Sequence, residues 1–244
     1  MTGQPPHITV SFGGKTFTRD EVTAKEMVRA RRVLRRLGAP PVAGTSAEIR
    51  QAVLNRKLEL GRDYLTAMVA AEAKGSARFS ATLAAASFGR RHPAWIEISA
   101  TGISGSAFVD WFHQISLSDN EPALLAAHPD HYAIYNTAQG QQVFETLGGA
   151  PFVSAFAIDF TDPHGISIPT LADHPYAISG VAVLPSGRRI GGAKHQFRDD
   201  VAGLHARLGI DFPLAIPPTI WLGHRWHLAI EFCNWIEAAA AEGA

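Results

Sequence analysis

The sequence predicts an α+β protein in which an antiparallel sheet curves around a long C-terminal helix and a helical region precedes the sheet. Three observations carry this expectation. Apolar residues recur at helical spacing from Ala30 to Val69, then alternate with a period of two beyond Trp95. Finally they cover most faces of the segment from Trp221 to Ile236. A helix that is apolar all round is enclosed by protein, and a curved sheet would enclose it.

Residues 1–17 contain polar residues, two prolines and Gly13-Gly14, which suits a short strand or an arm. Thr18 stands three residues before Glu21 as a capping box, and Ala30, Val33, Leu34 and Leu37 then follow at helical spacing up to Gly38. Arg29, Arg31, Arg32, Arg35 and Arg36 crowd the rest of that surface, which reads as a solvated face. After a break at Gly38–Gly44, Thr45 and Glu48 repeat the capping box. A stripe of Ile49, Val53, Leu54, Leu58, Leu65, Met68 and Val69 then predicts one long second helix. Strands follow: Phe152, Ser154, Phe156, Ile158 and Phe160 alternate with smaller residues, and Tyr176–Leu184 and Arg189–Phe197 flank Pro185-Ser186-Gly187 as a hairpin. After Pro217-Pro218, Thr219 is the expected N-cap of the last helix. The division expected is an arm and helical region over 1–91 and a sheet-and-helix unit over 92–244, within one compact unit.

Composition narrows the function classes. With 46% hydrophobic and 18% charged residues the chain belongs among compact folded proteins. Lys plus Arg and Asp plus Glu number 22 each, so no global field draws the chain to nucleic acid or to an anionic membrane. Cys233 is the sole cysteine, which rules out an intrachain disulfide and a cysteine-based zinc site and fits a reducing cytoplasm. The first thirty residues lack an export-signal pattern, and no apolar run reaches membrane-spanning length. The helical region either caps the sheet or mediates assembly into a homo-oligomer.

Chemistry concentrates in the last helix. His227 and Glu231 lie four residues apart, on one helical face a turn apart, so both can reach one ion. An ionised Glu within so apolar a helix costs several kcal/mol unless a cation or solvent compensates it. Upstream, His131 opens a predicted strand after His128-Pro129-Asp130, and Glu145 precedes a Gly148-Gly149 turn. Neighbouring strands could bring the two together. Two imidazoles and two carboxylates suit Zn²⁺, while Fe²⁺, Mn²⁺ and Co²⁺ use the same ligand types. His128 is the rival to His131, since the two are close enough in sequence to chelate from one loop.

The segments ISATGISGSAFVDWFH (98–113), HPDHY, VFETLGG and HLAIEFCNW occur in that order. Over roughly residues 92–236 this order resembles the diacetylphloroglucinol and phloretin hydrolase family. The resemblance implies a helix-grip fold of the Bet v 1 type over 92–244 and a zinc ion held by His131, Glu145, His227 and Glu231. It also implies hydrolysis of an aryl–acyl carbon–carbon bond in an aromatic small molecule, an acylated polyphenol. The stretch between His131 and Glu145 is shorter than the family's, and two further departures alter the pocket. Asp110-Trp111-Phe112-His113 replaces the family's tryptophan-rich segment, and Ile134 stands where a polar substrate-binding residue is expected.

Such a reaction needs an electrophilic carbonyl and a ring carbon that leaves with a proton. Candidate proton-transfer residues are His224, three residues before His227, together with His113 and Tyr132. Asn234 is expected to orient Glu231, and Trp111, Phe112, Phe156 and Trp235 to line the cavity. His7, His92, His164, His174, His195 and His205 are read as structural or exposed. The competing reading is a metal-free protein that binds a hydrophobic molecule between sheet and helix, with a polyketide cyclase-like enzyme as a third.

Overall fold

Capping chemistry fixes where the first two helices begin. In a computed structural model describing residues 5–161 and 164–244, the Thr18 hydroxyl accepts from the Glu21 amide while the Glu21 carboxylate accepts from the Thr18 amide. Thr45 and Glu48 do the same. Helix α1 therefore spans Arg19–Arg36 and α2 spans Ser46–Leu60. The single long second helix expected from the apolar stripe is in fact two, because Gly61 sits at φ 78° between α2 and α3 (Arg62–Ala86). That left-handed φ is one glycine adopts without steric cost, and it ends the helix there.

The arm is a hairpin of β1 (Ile8–Phe12) and β2 (Lys15–Thr18). It pairs with β3 (Arg91–Thr101), so residues before 92 supply strands to the sheet. Two helices follow, α4 (Gly105–Leu117) and α5 (Glu121–Ala126). Then come β4 (His131–Thr137), β5 (Gly140–Glu145), a 3₁₀ turn (Leu147–Gly149) and β6 (Ser154–Asp159). The meander ends with β7 (Tyr176–Val183), β8 (Arg189–Asp200) and β9 (Gly203–Pro213). Among the described residues these make one antiparallel sheet of nine strands in the order β2-β1-β3-β9-β8-β7-β6-β5-β4. The anticipated hairpin at Pro185-Ser186-Gly187 is β7–β8, closed by a Leu184 amide to Arg188 carbonyl bond.

The last helix, α6, runs over Pro218–Glu242. Its N-cap is Pro217 rather than Thr219: Pro218 takes the first helical position, where its fixed φ suits the helix and its missing N–H is no loss. Residues around its whole circumference are buried, including Leu228, Ala229, Ile230, Phe232, Cys233 and Ile236. It touches β3 and β1 on one side and, through His227, residues of β4 and β5 on the other, so the sheet bends around it. The main core fills the space between the inner face, α4 and α6. A second core joins α1, α2 and α3 to Tyr132, Phe144 and Val153, placing the helical region against the other side of β4–β6.

The arginine-rich face of α1 is only partly solvated. Arg31 and Arg35 are exposed, but Arg29 donates to Asp130 and to the Gly223 carbonyl, Arg32 donates to Asp130, and Arg36 donates to Glu72. Asp130 is fully buried, and an unpaired carboxylate there would be costly, so the arginines beside it are structural. No helix among the described residues is long and apolar enough to cross a membrane.

Candidate metal centre

Strand pairing and one helical turn bring four side chains together. His131 and Glu145 are direct cross-strand partners on β4 and β5, and a bulge between His131 and Ala133 re-aims the start of β4. His227 and Glu231 come from adjacent turns of α6. His131 Nε2 lies 3.2 Å from His227 Nε2, 3.3 Å from Glu231 Oε1 and 3.6 Å from Glu145 Oε2, and His227 Nε2 lies 3.4 Å from Glu145 Oε2. A tetrahedral ion with bonds of about 2.0–2.1 Å sets its ligand atoms roughly 3.3–3.4 Å apart; the three separations within His131, Glu145 and His227 are close to that, and Glu231 joins the group through His131.

The chemistry of the donors fits as well. The His131 ring lies 3.0 Å through Nδ1 from the Leu124 carbonyl, an acceptor only, so Nδ1 carries the hydrogen and Nε2 turns its lone pair toward the other three groups. All four are largely buried, the most exposed being Glu231 with a side chain at 12%. Two carboxylates and two imidazoles in a buried site form a donor set that a divalent cation can bind; burial pushes the His227 imidazole down, but the nearby Glu145 raises its pKa against that effect. In the protein alone, burial pushes the Glu145 carboxyl up, but His227, by charge and by hydrogen bond, more than reverses this and holds it at about 2.

Mutual proximity by itself also admits His128 with His131 and His227, and His224 with Glu145 and His227. For His128 the hydrogen bonds decide otherwise. Its Nδ1 accepts from the Asp130 amide at 2.9 Å, and its Nε2 faces Arg29 Nη1 at 3.4 Å, leaving no lone pair for an ion. Its ring instead lies flat on His227, with centroids 3.8 Å apart and planes 15° from parallel. His224 stacks on His227 at 4.9 Å and 11°. The His227 ring is thus held between two imidazoles, and its buried Nδ1 has no hydrogen-bond partner.

Close backbone packing keeps β5 and α6 at this distance. A Cβ on Gly223 would lie 1.9 Å from the Gly148 carbonyl oxygen, and one on Gly148 would lie 2.1 Å from that of Ile220. The Gly148-Gly149 turn read from the sequence is therefore the seat on which the start of α6 rests.

An apolar cavity of about 150 Å³ adjoins the cluster, and Glu145, His224, His227 and Glu231 form part of its wall. A space of this size takes at least one aromatic ring. Of the aromatic residues expected to line it, Phe112, Phe156 and Trp235 do, together with Phe160, Phe212 and Phe232. Trp111 does not: its indole N–H donates to Glu242 at 2.8 Å, at the far end of α6.

The proposed proton-transfer residues separate. His224 is buried at the cavity wall, and burial lowers it to about 3, so it is neutral near pH 7. His113 is exposed, because the buried Trp111, Phe112 and Ile115 put it on the outer side of α4. Tyr132 is buried, but within the second core beneath Arg36, whose guanidinium lies 5.0 Å from its ring; burial raises its hydroxyl to about 12. The β4 bulge separates its course from that of His131. Asn234 does not orient Glu231: its amide donates to Glu26 and the Ala127 carbonyl, and its oxygen accepts from Arg19.

Sequence reasoning missed His195, left as a structural residue. It is buried on β8, lines the cavity against Phe232 and has no partner for Nδ1, and burial lowers it to about 3. Its inward position follows from strand alternation between Ala193 and Phe197, a signal that needed the sheet's orientation to be legible. No family model and no curated protein matches the chain.

Proposed function

We propose that the chain holds one zinc ion through His131, Glu145, His227 and Glu231 and hydrolyses the aryl–acyl carbon–carbon bond of an acylated polyphenol. The observation that carries this reading is the buried cluster of His131, Glu145, His227 and Glu231 beside an apolar, aromatic-lined cavity. The ordered segments of residues 98–113, 128–132, 143–149 and 227–235 support it, as does a sheet bent round a C-terminal helix, the arrangement expected of a helix-grip fold of the Bet v 1 type. Zinc would supply Lewis-acid polarisation and an acidified water.

The chain's own residues supply the rest. Phe112, Phe156 and Trp235 grip the ring and exclude water from all but the polar end. His224 and His195, whose Nδ1 atoms have no hydrogen-bond partner, line that space and are the groups available to hydrogen-bond a ring hydroxyl. In the keto tautomer the hydroxyl proton has moved to the ring carbon that bears the acyl group; water adds to the acyl carbon, the ring–acyl bond breaks, and the ring leaves as an enolate that regains a proton at oxygen to give the phenol. Of the three candidate proton-transfer residues His224 alone lines the cavity, and His195 joins it there in place of His113 and Tyr132. The single buried thiol, Cys233, is compatible with a reducing cytoplasm.

The test is cleavage of monoacyl and diacyl phloroglucinols and of a dihydrochalcone in ¹⁸O-labelled water, followed by mass spectrometry. The expected products are the deacylated phenol and a carboxylic acid carrying the label. Cleavage of simple esters alone, or acid without label, refutes carbon–carbon hydrolysis; tight binding without turnover points to a carrier.

A further inference from the structure

The cavity has a second polar station, far from the metal donors. Gln141, Val143 and Glu145 are alternate residues of β5, and all three line the cavity. Pairing with β6 is unbroken from Gln141–Ile158 to Glu145–Ser154, so the row is straight. Four residues at about 3.4 Å each put Gln141 roughly 13 Å along the wall from Glu145.

Between the two stations the wall is apolar: Val143 and its β4 partner Ile134, with Phe112 and Phe156 alongside. Gln141 is 7% exposed, and its buried Nε2 has no hydrogen-bond partner. Its strand neighbours do not supply one. Ile158 has no acceptor in its side chain, and Asn136 makes no hydrogen bond to the Gln141 amide. The neighbouring Gln142, by contrast, is satisfied by the Phe156 carbonyl. An amide left unpaired on the wall of a cavity can be satisfied by an acceptor that another molecule brings.

We infer that Gln141 is a specificity-determining residue that donates to an oxygen at the distal end of the ligand, and so selects elongated ligands with oxygen at both ends. Allowing about 2.9 Å for the hydrogen bond and a comparable distance at the metal end, the two oxygens lie roughly 8 Å apart. That exceeds the reach of an acetyl group. It fits an acyl chain of about six carbons ending in a hydroxyl or carbonyl oxygen. The inference rests on the metal-end reading given above for the orientation of the ligand, but it concerns binding and is tested without turnover.

The probes are phenyl ketones without ring hydroxyls, which lack the keto tautomer that cleavage needs: hexanophenone and its 6-hydroxy derivative. Dissociation constants are read from tryptophan fluorescence of the metal-loaded protein. The hydroxylated ketone should bind roughly three- to tenfold more tightly, the range of one neutral hydrogen bond. Gln141→Leu should abolish or reverse that preference, and removing an unpaired buried amide should leave its melting temperature unchanged or higher. Equal affinities in the wild type, or the same preference retained in Gln141→Leu, overturn the inference. If the variant does not fold, the wild-type pair decides alone. Acylphenol cleavage with no preference between the probes sinks this inference and spares the hydrolase; the preference without any cleavage does the reverse.

Discussion

Replacing Arg29 by Met would test how far the N-terminal helices support the metal cluster. Arg29 joins three parts of the protein: α1, the 128–130 segment through Asp130 at 3.2 Å, and α6 through the Gly223 carbonyl at 3.2 Å. Its Nη1 also abuts His128, the ring stacked on His227. Met fills the space but carries no charge, leaving Asp130, fully buried, with only Arg32, whose side chain is 46% exposed. Breaking a buried pair costs about 3–5 kcal/mol, and the remaining partner puts the expectation near the lower end, about 3 kcal/mol. With a urea dependence of about 2–3 kcal/mol/M for a chain of this length, the midpoint of the chelator-treated protein should fall by roughly 1 M. Asp130→Asn should cost a similar amount, and the double variant much less than the sum, because the two act on one pair. A shift below about 0.3 M, or additive losses, would refute the claim that this pair is structural.

Further outcomes follow from the same geometry. Gly223→Ala should shift α6 away from the 3₁₀ turn and weaken metal binding at least tenfold, since its Cβ meets the Gly148 oxygen at 1.9 Å; unchanged affinity in a metal titration would show that this approach is not needed. Glu231→Gln should lose metal and activity together while keeping its fold, as followed by circular dichroism, and full activity without that carboxylate would remove the α6 half-site. Lys57, fully buried with its ammonium on the Leu125 and His128 carbonyls, is pushed by burial down to about 7. Between that value and its ordinary one near 10.5 the unfolded chain binds the proton and the folded chain does not, so stability rises with pH across this window. The slope is at most about 1.4 kcal/mol per pH unit. Urea unfolding at pH 7.5 and 9 should show this slope in the wild type and a flatter one in Lys57→Met; parallel slopes contradict the assignment.

Local signals in the sequence were reliable where local physics decides. Both capping boxes, the β7–β8 turn and the enclosed character of the last helix depend on neighbours within a few positions. The helix broken at Gly61 shows the limit: the apolar stripe continues through the break, and only the positive φ ends the first segment. In the site, the His227–Glu231 spacing needed only the helix, and the His131–Glu145 pairing completed it. What stayed hidden depends on contacts distant in sequence. The imidazole stack of His128, His227 and His224, the turn of Tyr132 into the second core, and the inward faces of His195 and Gln141 are set by strand register and helix phase. Asn234 misled for the same reason, being one helical turn from Glu231 yet engaged by α1.

Metal analysis of the protein purified without chelator, combined with X-ray absorption at the metal edge, tests the central claim most directly. About one zinc per chain is expected, surrounded by four N or O donors near 2.0–2.1 Å with no sulfur, and lost in His227→Ala. Folded protein that carries no stoichiometric metal and gains none on titration, or a metal signal unchanged in His227→Ala, would contradict it.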